Sequence, residues 1–141
     1  MDSNYVLHIR KSQTAIQLDG VLDEAAWQTA ETAYSFRKQF PIDTGLAELQ
    51  TRVQLTFDDK YLYVAALCYE PRADYTVQSL KRDFEPGTSD VLNFLFDPSK
   101  DGLNGFLFGV NPLNVQREAL LDNGTNQSFD WDNKWNSAVQ T

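Results

Sequence analysis

One cysteine and one histidine stand among 141 residues. A lone Cys68 excludes an internal disulfide. Inside the apolar run at residues 62–69 it reads as a small buried hydrophobe rather than a reactive thiol. A lone His8, in an expected N-terminal strand, gives no material for a catalytic triad or a histidine-rich metal site. Basic charge is short as well: 12 Lys and Arg face 20 Asp and Glu, a net charge of -8. That balance argues against nucleic acid as a partner, because binding it needs a basic face; neutral ligands, cations and basic partners stay open. No apolar window approaches the roughly 18 residues of a membrane span, and no leader peptide is visible.

What is present suits strands. Hydrophobic residues reach 42% and aromatics 13%, with nine Phe, six Tyr and three Trp. So much ring favours strands or a ligand surface over a helical bundle. Tyr5, Leu7 and Ile9 alternate over residues 5–10, and residues 15–18 and 34–36 read as further short strands. Residues 48–57 alternate most cleanly: Leu49, Thr51, Val53, Leu55 and Phe57 oppose Gln50, Arg52, Gln54 and Thr56. Asp58-Asp59-Lys60 makes a hairpin turn, and residues 61–70, apolar on both faces, belong at the centre of a sheet. Residues 74–89 are polar and irregular, broken by Pro86-Gly87. Strands follow at 90–97, 105–111 and 115–121, then a polar loop at 122–130 and the start of a last strand at 134–139. Many short strands, polar turns and one small helix predict an all-β fold, an antiparallel β-sandwich forming a single domain over residues 1–141.

The one helix belongs to the most informative stretch, residues 16–27. A short strand runs into Asp19-Gly20, where Gly accepts positive φ and Asp bonds its own backbone. Asp23 then suits an N-cap, Glu24 suits the positive helix end, and Ala26, Trp27 and Ala30 share one helical face. The unit pins a Trp into a core and contains no evident catalyst.

Four blocks stand in a recognisable order. They are Leu18-Asp19-Gly20-Val21-Leu22-Asp23-Glu24-Ala25-Ala26-Trp27; Thr51-Arg52-Val53 running through Phe57-Asp58-Asp59-Lys60-Tyr61-Leu62-Tyr63-Val64-Ala65; Ser89-Asp90-Val91 through Phe96-Asp97; and Gly105-Phe106-Leu107-Phe108-Gly109-Val110-Asn111-Pro112. Together they resemble carbohydrate-binding module family 9, and more closely its branch at the N-terminus of larger bacterial envelope or secreted proteins. Lys81-Arg82-Asp83, Val115-Gln116-Arg117 and Trp131-Asp132-Asn133-Lys134-Trp135 also fit that branch. The resemblance implies an immunoglobulin-like β-sandwich that binds a glycan or oligosaccharide by ring stacking and polar contacts. It implies structural calcium, and an extracytoplasmic place (periplasm, outer membrane or secreted) with any leader outside this sequence. It also implies a parent protein of carbohydrate catabolism whose C-terminal domain is a partner. The family domain runs past a position like Thr141, so the resemblance further implies missing last strands and an unpaired sheet edge open to dimerisation.

The sugar-contact positions depart from the family. A stacking Trp is replaced by Gly87, a Glu by Asn93 and an Arg by Gly109. Stacking therefore falls to the loop Ser128-Phe129-Asp130-Trp131-Asp132, with Trp131 as the exposed ring, Phe129 beside it and Trp135 in the core. Arg82, Asp83, Asn93 and Asn111 would supply polar contacts, although Arg82 and Asp83 read equally well as a surface ion pair. Asp97, Asp101 and Asn104 are the candidate calcium ligands, in a loop that an ordinary Asp/Gly/Asn turn also explains. Asp90, Asp97 and Glu118 are the carboxylates available to a glycosidase pair, but nothing in the sequence fixes their separation, and no enzyme is expected. The alternative is a structural sandwich that has lost sugar binding and docks neighbouring domains or partners.

Overall fold

The alternating run around Val53 becomes the strand on which one sheet is built. A computed structural model of the chain describes residues 6–38, 45–71, 75–85 and 87–141. Tyr5, Asp74 and Pro86, which begin the expected first strand, open the irregular stretch and break it, lie outside the described residues. In chain order the elements are β1 (Arg10–Lys11), α1 (Ala25–Thr29), β2 (Thr32–Ala33), β3 (Thr51–Phe57), β4 (Leu62–Cys68), β5 (Leu92–Phe96), β6 (Gly105–Val110), β7 (Gln116–Asp122) and β8 (Asn126–Ser128). The fold class is the expected one: all-β, two mainly antiparallel sheets and one short helix, the element content of a β-sandwich. The chain divides into two units, residues 1–17 with 21–72 and residues 18–20 with 73–141.

In the first unit β3 is central. β4 pairs along one side in antiparallel register, Val53 opposite Ala66, while β2 (antiparallel) and β1 (parallel) share the other. The β3–β4 turn forms because Asp58 collects its donors: Oδ1 accepts from the N–H of Lys60 (2.7 Å) and Tyr61 (2.8 Å), and Oδ2 from the Tyr63 hydroxyl (2.8 Å). α1 has Glu24, not Asp23, at its N-cap, and no side chain caps it. The Glu24 carboxylate instead joins the preceding segment to the helix, accepting from the Gln17 N–H at 2.7 Å and from Trp27 Nε1 at 2.9 Å. The Gln54 amide of β3 donates to the carbonyls of Trp27 (2.7 Å) and Ala30 (3.0 Å), satisfying acceptors that a helix end leaves open. Trp27 is buried, as expected, beside a core containing Val53 and Ala65; burying such a side chain is worth about 2–3 kcal/mol.

Several expectations fail here for physical reasons. β4 is an edge strand among the described residues rather than a central one, and Leu62, Leu67 and Cys68 are exposed. Cys68 is therefore not the buried hydrophobe its apolar neighbours suggested; apolar sequence on both faces does not by itself guarantee a second neighbour. Of the first expected strand, residues 5–10, only Arg10 pairs among the described residues, continuing into Lys11, and residues 15–18 and 34–36 form none; the strand near the latter falls earlier, at Thr32–Ala33.

The second unit is an antiparallel meander, β5-β6-β7-β8. Its buried apolar residues are Phe84, Leu107 and Ala119, yet its largest fully buried side chains are Arg117, Glu118 and Asn111. Residues 134–139 form no strand; side chains, not a ladder, hold them. The Asp19-Gly20 turn also lies in this unit, with Gly20 at φ 84° and a would-be Cβ 3.0 Å from the Gln140 nitrogen, so only glycine fits there.

Candidate functional site

Residues paired across an antiparallel ladder share a face, and successive residues alternate. The register of the second sheet therefore sorts its side chains into two sets. Phe94, Phe108 and Glu118 form one cross-strand row and Phe96, Phe106 and Leu120 another, both on the first face. Asn93, Gly109 and Arg117 form a row on the second face.

On the first face two tryptophans close over the phenylalanines. Trp131 lies 5.3 Å from Phe106 and 5.8 Å from Phe108, and Trp135 lies 5.4 Å from Phe108. Trp131 is thus half-buried against strand residues instead of standing as a free ring; Trp135 packs as expected, also half-buried. Beside them sits Glu118, 1% exposed. One carboxylate oxygen accepts from Arg82 and from the Asn133 N–H (3.3 Å), and the other from Trp135 Nε1 (3.1 Å). Arg82 also reaches Gln116 Oε1 (3.2 Å), Asp132 Oδ1 (3.3 Å) and the Asn133 carbonyl (3.1 Å). Asp83 accepts from the Glu118 N–H (3.1 Å) and stands 3.9 Å from Arg82. Burial opposes charge on Glu118, yet the bonds from Arg82, Trp135 and Asn133 hold its carboxyl below the usual range. Arg82 and Asp83 therefore do more than form a surface pair: with Glu118 they clamp residues 132–135 to β7.

The second face is built differently. The Arg117 guanidinium, 1% exposed, lies 5.7 Å from the Phe84 ring centre and 5.1 Å from that of Phe129. Its Nε and Nη2 are buried and make no hydrogen bond among the described residues. Desolvation lowers its pKa, while the charges of Glu85 and Asp83 work the other way. Room for the side chain comes from Gly109: a Cβ there would fall 2.3 Å from Asn93 Oδ1 and 2.7 Å from Arg117 Cγ. Asn93 is exposed, and Phe129 is 38% exposed against 4% for Phe84. This face presents the Asn93 amide and the partly exposed Phe129 ring beside a buried guanidinium, a binding chemistry with no nucleophile or base among those side chains.

The remaining predicted residues are engaged locally. Asn111, 1% exposed, fixes the β6–β7 turn: its Oδ1 accepts from the N–H of Leu113 (3.0 Å) and Val115 (2.9 Å), and its Nδ2 donates to the Ser79 carbonyl (3.4 Å). Asp97 Oδ2 accepts from the Gly102 N–H at 2.9 Å; Asp101 Oδ1 accepts from the N–H of Leu103 and Asn104, both 2.8 Å, and its Oδ2 from the Asn104 amide at 2.9 Å. The backbone bond from Asn104 leads in lowering the Asp101 pKa. No group of three or more His, Cys, Asp or Glu converges among the described residues. An open cleft of about 320 Å³ lies beside this loop, over Phe106 and Leu120. Asp90 Oδ2 accepts from the Thr76 N–H at 2.8 Å, and His8 Nδ1 is 3.2 Å from Glu31. Gly87, where the resemblance expects a stacking Trp, is exposed with nothing near its would-be Cβ.

The structure thus brings Arg82 and Asp83 together around Glu118, groups Asn93 and Phe129 around Arg117, and leaves Asn111 apart in its turn. Arg117 was missed as a site residue. The available signal was Gln116-Arg117-Glu118, three polar residues in succession opening a strand that continues Ala119-Leu120-Leu121. Compared with known proteins, the chain matches no family, and no significant match was found among curated proteins or solved structures.

Proposed function

We infer that this chain is a non-catalytic carbohydrate-binding module resembling family 9, an accessory part of a longer bacterial envelope or secreted protein acting outside the cytoplasm. The contact surface is the Asn93–Gly109–Arg117 face of the second sheet, with Phe129 as the stacking ring. One observation carries this reading: Asn93 and Phe129, chosen from the sequence as glycan contacts, lie beside an arginine whose Nε and Nη2 have no hydrogen-bond partner among the described residues. Sugars present apolar C–H faces and rings of hydroxyls, which a partly exposed ring and a few fixed polar groups recognise. A shallow site of this kind gives affinities of about micromolar to millimolar. Glycan-array screening followed by titration calorimetry tests it. Saturable binding weakened about fivefold by Phe129→Ala, the worth of one stacked ring, is expected; no binding to any glycan defeats the reading.

A second reading, a docking module without a sugar site, draws on β4. Leu62 is 50% exposed and Leu67 46%, on a strand whose outer side is unpaired among the described residues. Such an edge accepts an added strand. In that case Leu67→Lys abolishes binding to the downstream domain of the parent protein, and glycans leave the calorimeter silent.

A further inference from the structure

Arg117 is a buried cation without a counter-ion in contact: no ion pair involves it among the described residues. The two rings do not cure this. Phe84 and Phe129 lie 5.7 and 5.1 Å from the guanidinium carbon, but a phenyl ring offers no oxygen acceptor to Nε–H and Nη2–H. Those two N–H groups are the parallel pair on one side of the fork, spaced to meet two oxygens of one anion. Burying a charged donor pair without an acceptor is among the costlier arrangements a fold can hold. The surroundings are also arranged to keep it: Gly109 sits mid-strand, where glycine weakens a sheet, and a Cβ there would collide with Arg117 Cγ at 2.7 Å. Of the two covering rings, only Phe129 is appreciably exposed, at 38%, and it follows β8 in a stretch whose residues are all exposed. Phe129 is thus the more exposed of the two rings beside the guanidinium, and a ligand entering there would displace it.

We propose that Arg117 is the receptor for the carboxylate of an acidic sugar, so that this face binds uronate-containing glycans, the Arg117 Nε–H and Nη2–H donating to the two carboxylate oxygens while the displaced Phe129 ring stacks on the sugar. The proposal rests on the carbohydrate reading above and names its substrate class. A neutral diol would satisfy the donors but bring no charge into contact with the guanidinium, whose acidic neighbours Glu85 and Asp83 act on it without an ion pair; a carboxylate does both. Net charge gives a second signature. A chain at -8 repels a polyanion at long range. Added salt therefore strengthens this binding or leaves it unchanged, the reverse of a surface basic patch.

The test titrates the full chain with three probes: a galacturonate tetrasaccharide, the same oligosaccharide with its carboxyls reduced to alcohols, and a sulfated oligosaccharide of like size. Expected is binding to the galacturonate at least tenfold tighter than to its reduced counterpart, undiminished from about 0.05 to about 0.5 M salt. Arg117→Met, which keeps the volume and removes the unpaired charge, loses that preference while its melting temperature holds or rises. The Arg117 Nε–H resonance of the unaltered protein shifts with the galacturonate alone, a readout that does not depend on the variant folding. Equal affinity for the reduced oligosaccharide, or preference for the sulfated one, overturns the uronate assignment and leaves glycan binding standing. Silence toward every glycan defeats both.

Discussion

Glu118 and Gly109 are single residues whose replacement reads out the two faces of the second sheet. The Glu118 carboxyl is held below its ordinary value of 4.5 by Arg82, Trp135 and Asn133. A lowered folded-state pKa contributes stability that is present above the unfolded value and disappears as pH falls through the folded one. Unfolding measured against pH therefore shows an acid loss beginning below about pH 4.5, to which Glu118 contributes. Glu118→Gln costs about 2–3 kcal/mol at neutral pH, because the three bonds to the carboxylate weaken or are lost inside a buried site, and makes the acid limb shallower than the parent's. A variant with the parent's full acid slope would remove Glu118 from the clamp. For Gly109→Ala the steric argument differs by neighbour. Asn93 is exposed and turns away, but Arg117 Cγ, 2.7 Å from the new methyl, is held in the sheet. Destabilisation of about 1–3 kcal/mol follows. Combining the change with Arg117→Ala restores most of it, since two residues contending for one space are coupled; additive losses would show that the clash lies elsewhere.

Among the elements, those written in local chemistry were legible and those decided at a distance were not. β3 follows from alternation, and its turn into β4 from Asp58 alone. α1 forms where the shared face of Ala26, Trp27 and Ala30 predicts it, but it starts one residue later than an Asp23 N-cap implies, the Glu24 side chain bonding Gln17 and Trp27 instead of capping. β4 was misplaced because its composition says how apolar it is and not how many neighbours it has. The segment at 134–139, expected to start a last strand, pairs with no neighbour among the described residues. Its actual restraint is side chain to side chain: the Trp135 indole on Glu118, and Ser137 bonded to Gln116 (2.8 Å) and Asn114 (2.6 Å). The loop following β5 is a similar case. Asp97 and Asp101 point their oxygens at the loop's own N–H groups, an arrangement complete without a metal. A calcium ion needs six to eight oxygens and would have to take these from the backbone. Melting curves with a chelator and with about 1 mM calcium should superimpose; a rise of several degrees on adding calcium would put the ion in this loop.

For the whole molecule, composition limits partners while register selects the site. The candidate glycan contacts were chosen by residue type, and only the pairing of β5, β6 and β7 shows that Asn93 shares a row with Arg117 and that Arg82 belongs with Glu118 on the other face. No linear pattern announces a cross-strand row, because its members lie 16 and 8 residues apart along the chain (Asn93 to Gly109, then to Arg117). Net charge, by contrast, is fully legible and has a measurable effect of its own. Twenty acidic against 12 basic side chains give -8, so compaction brings like charges together. Salt screens that repulsion over about 10 Å at 0.1 M. It also weakens surface pairs such as Lys11–Asp59 and Lys38–Glu48, but these are exposed and contribute little. Repulsion therefore outweighs attraction, and the melting temperature should climb by a few degrees between about 0.02 and 0.5 M sodium chloride. A fall over the same range would mean that the exposed pairs, rather than the excess of carboxylates, govern the electrostatic part of stability.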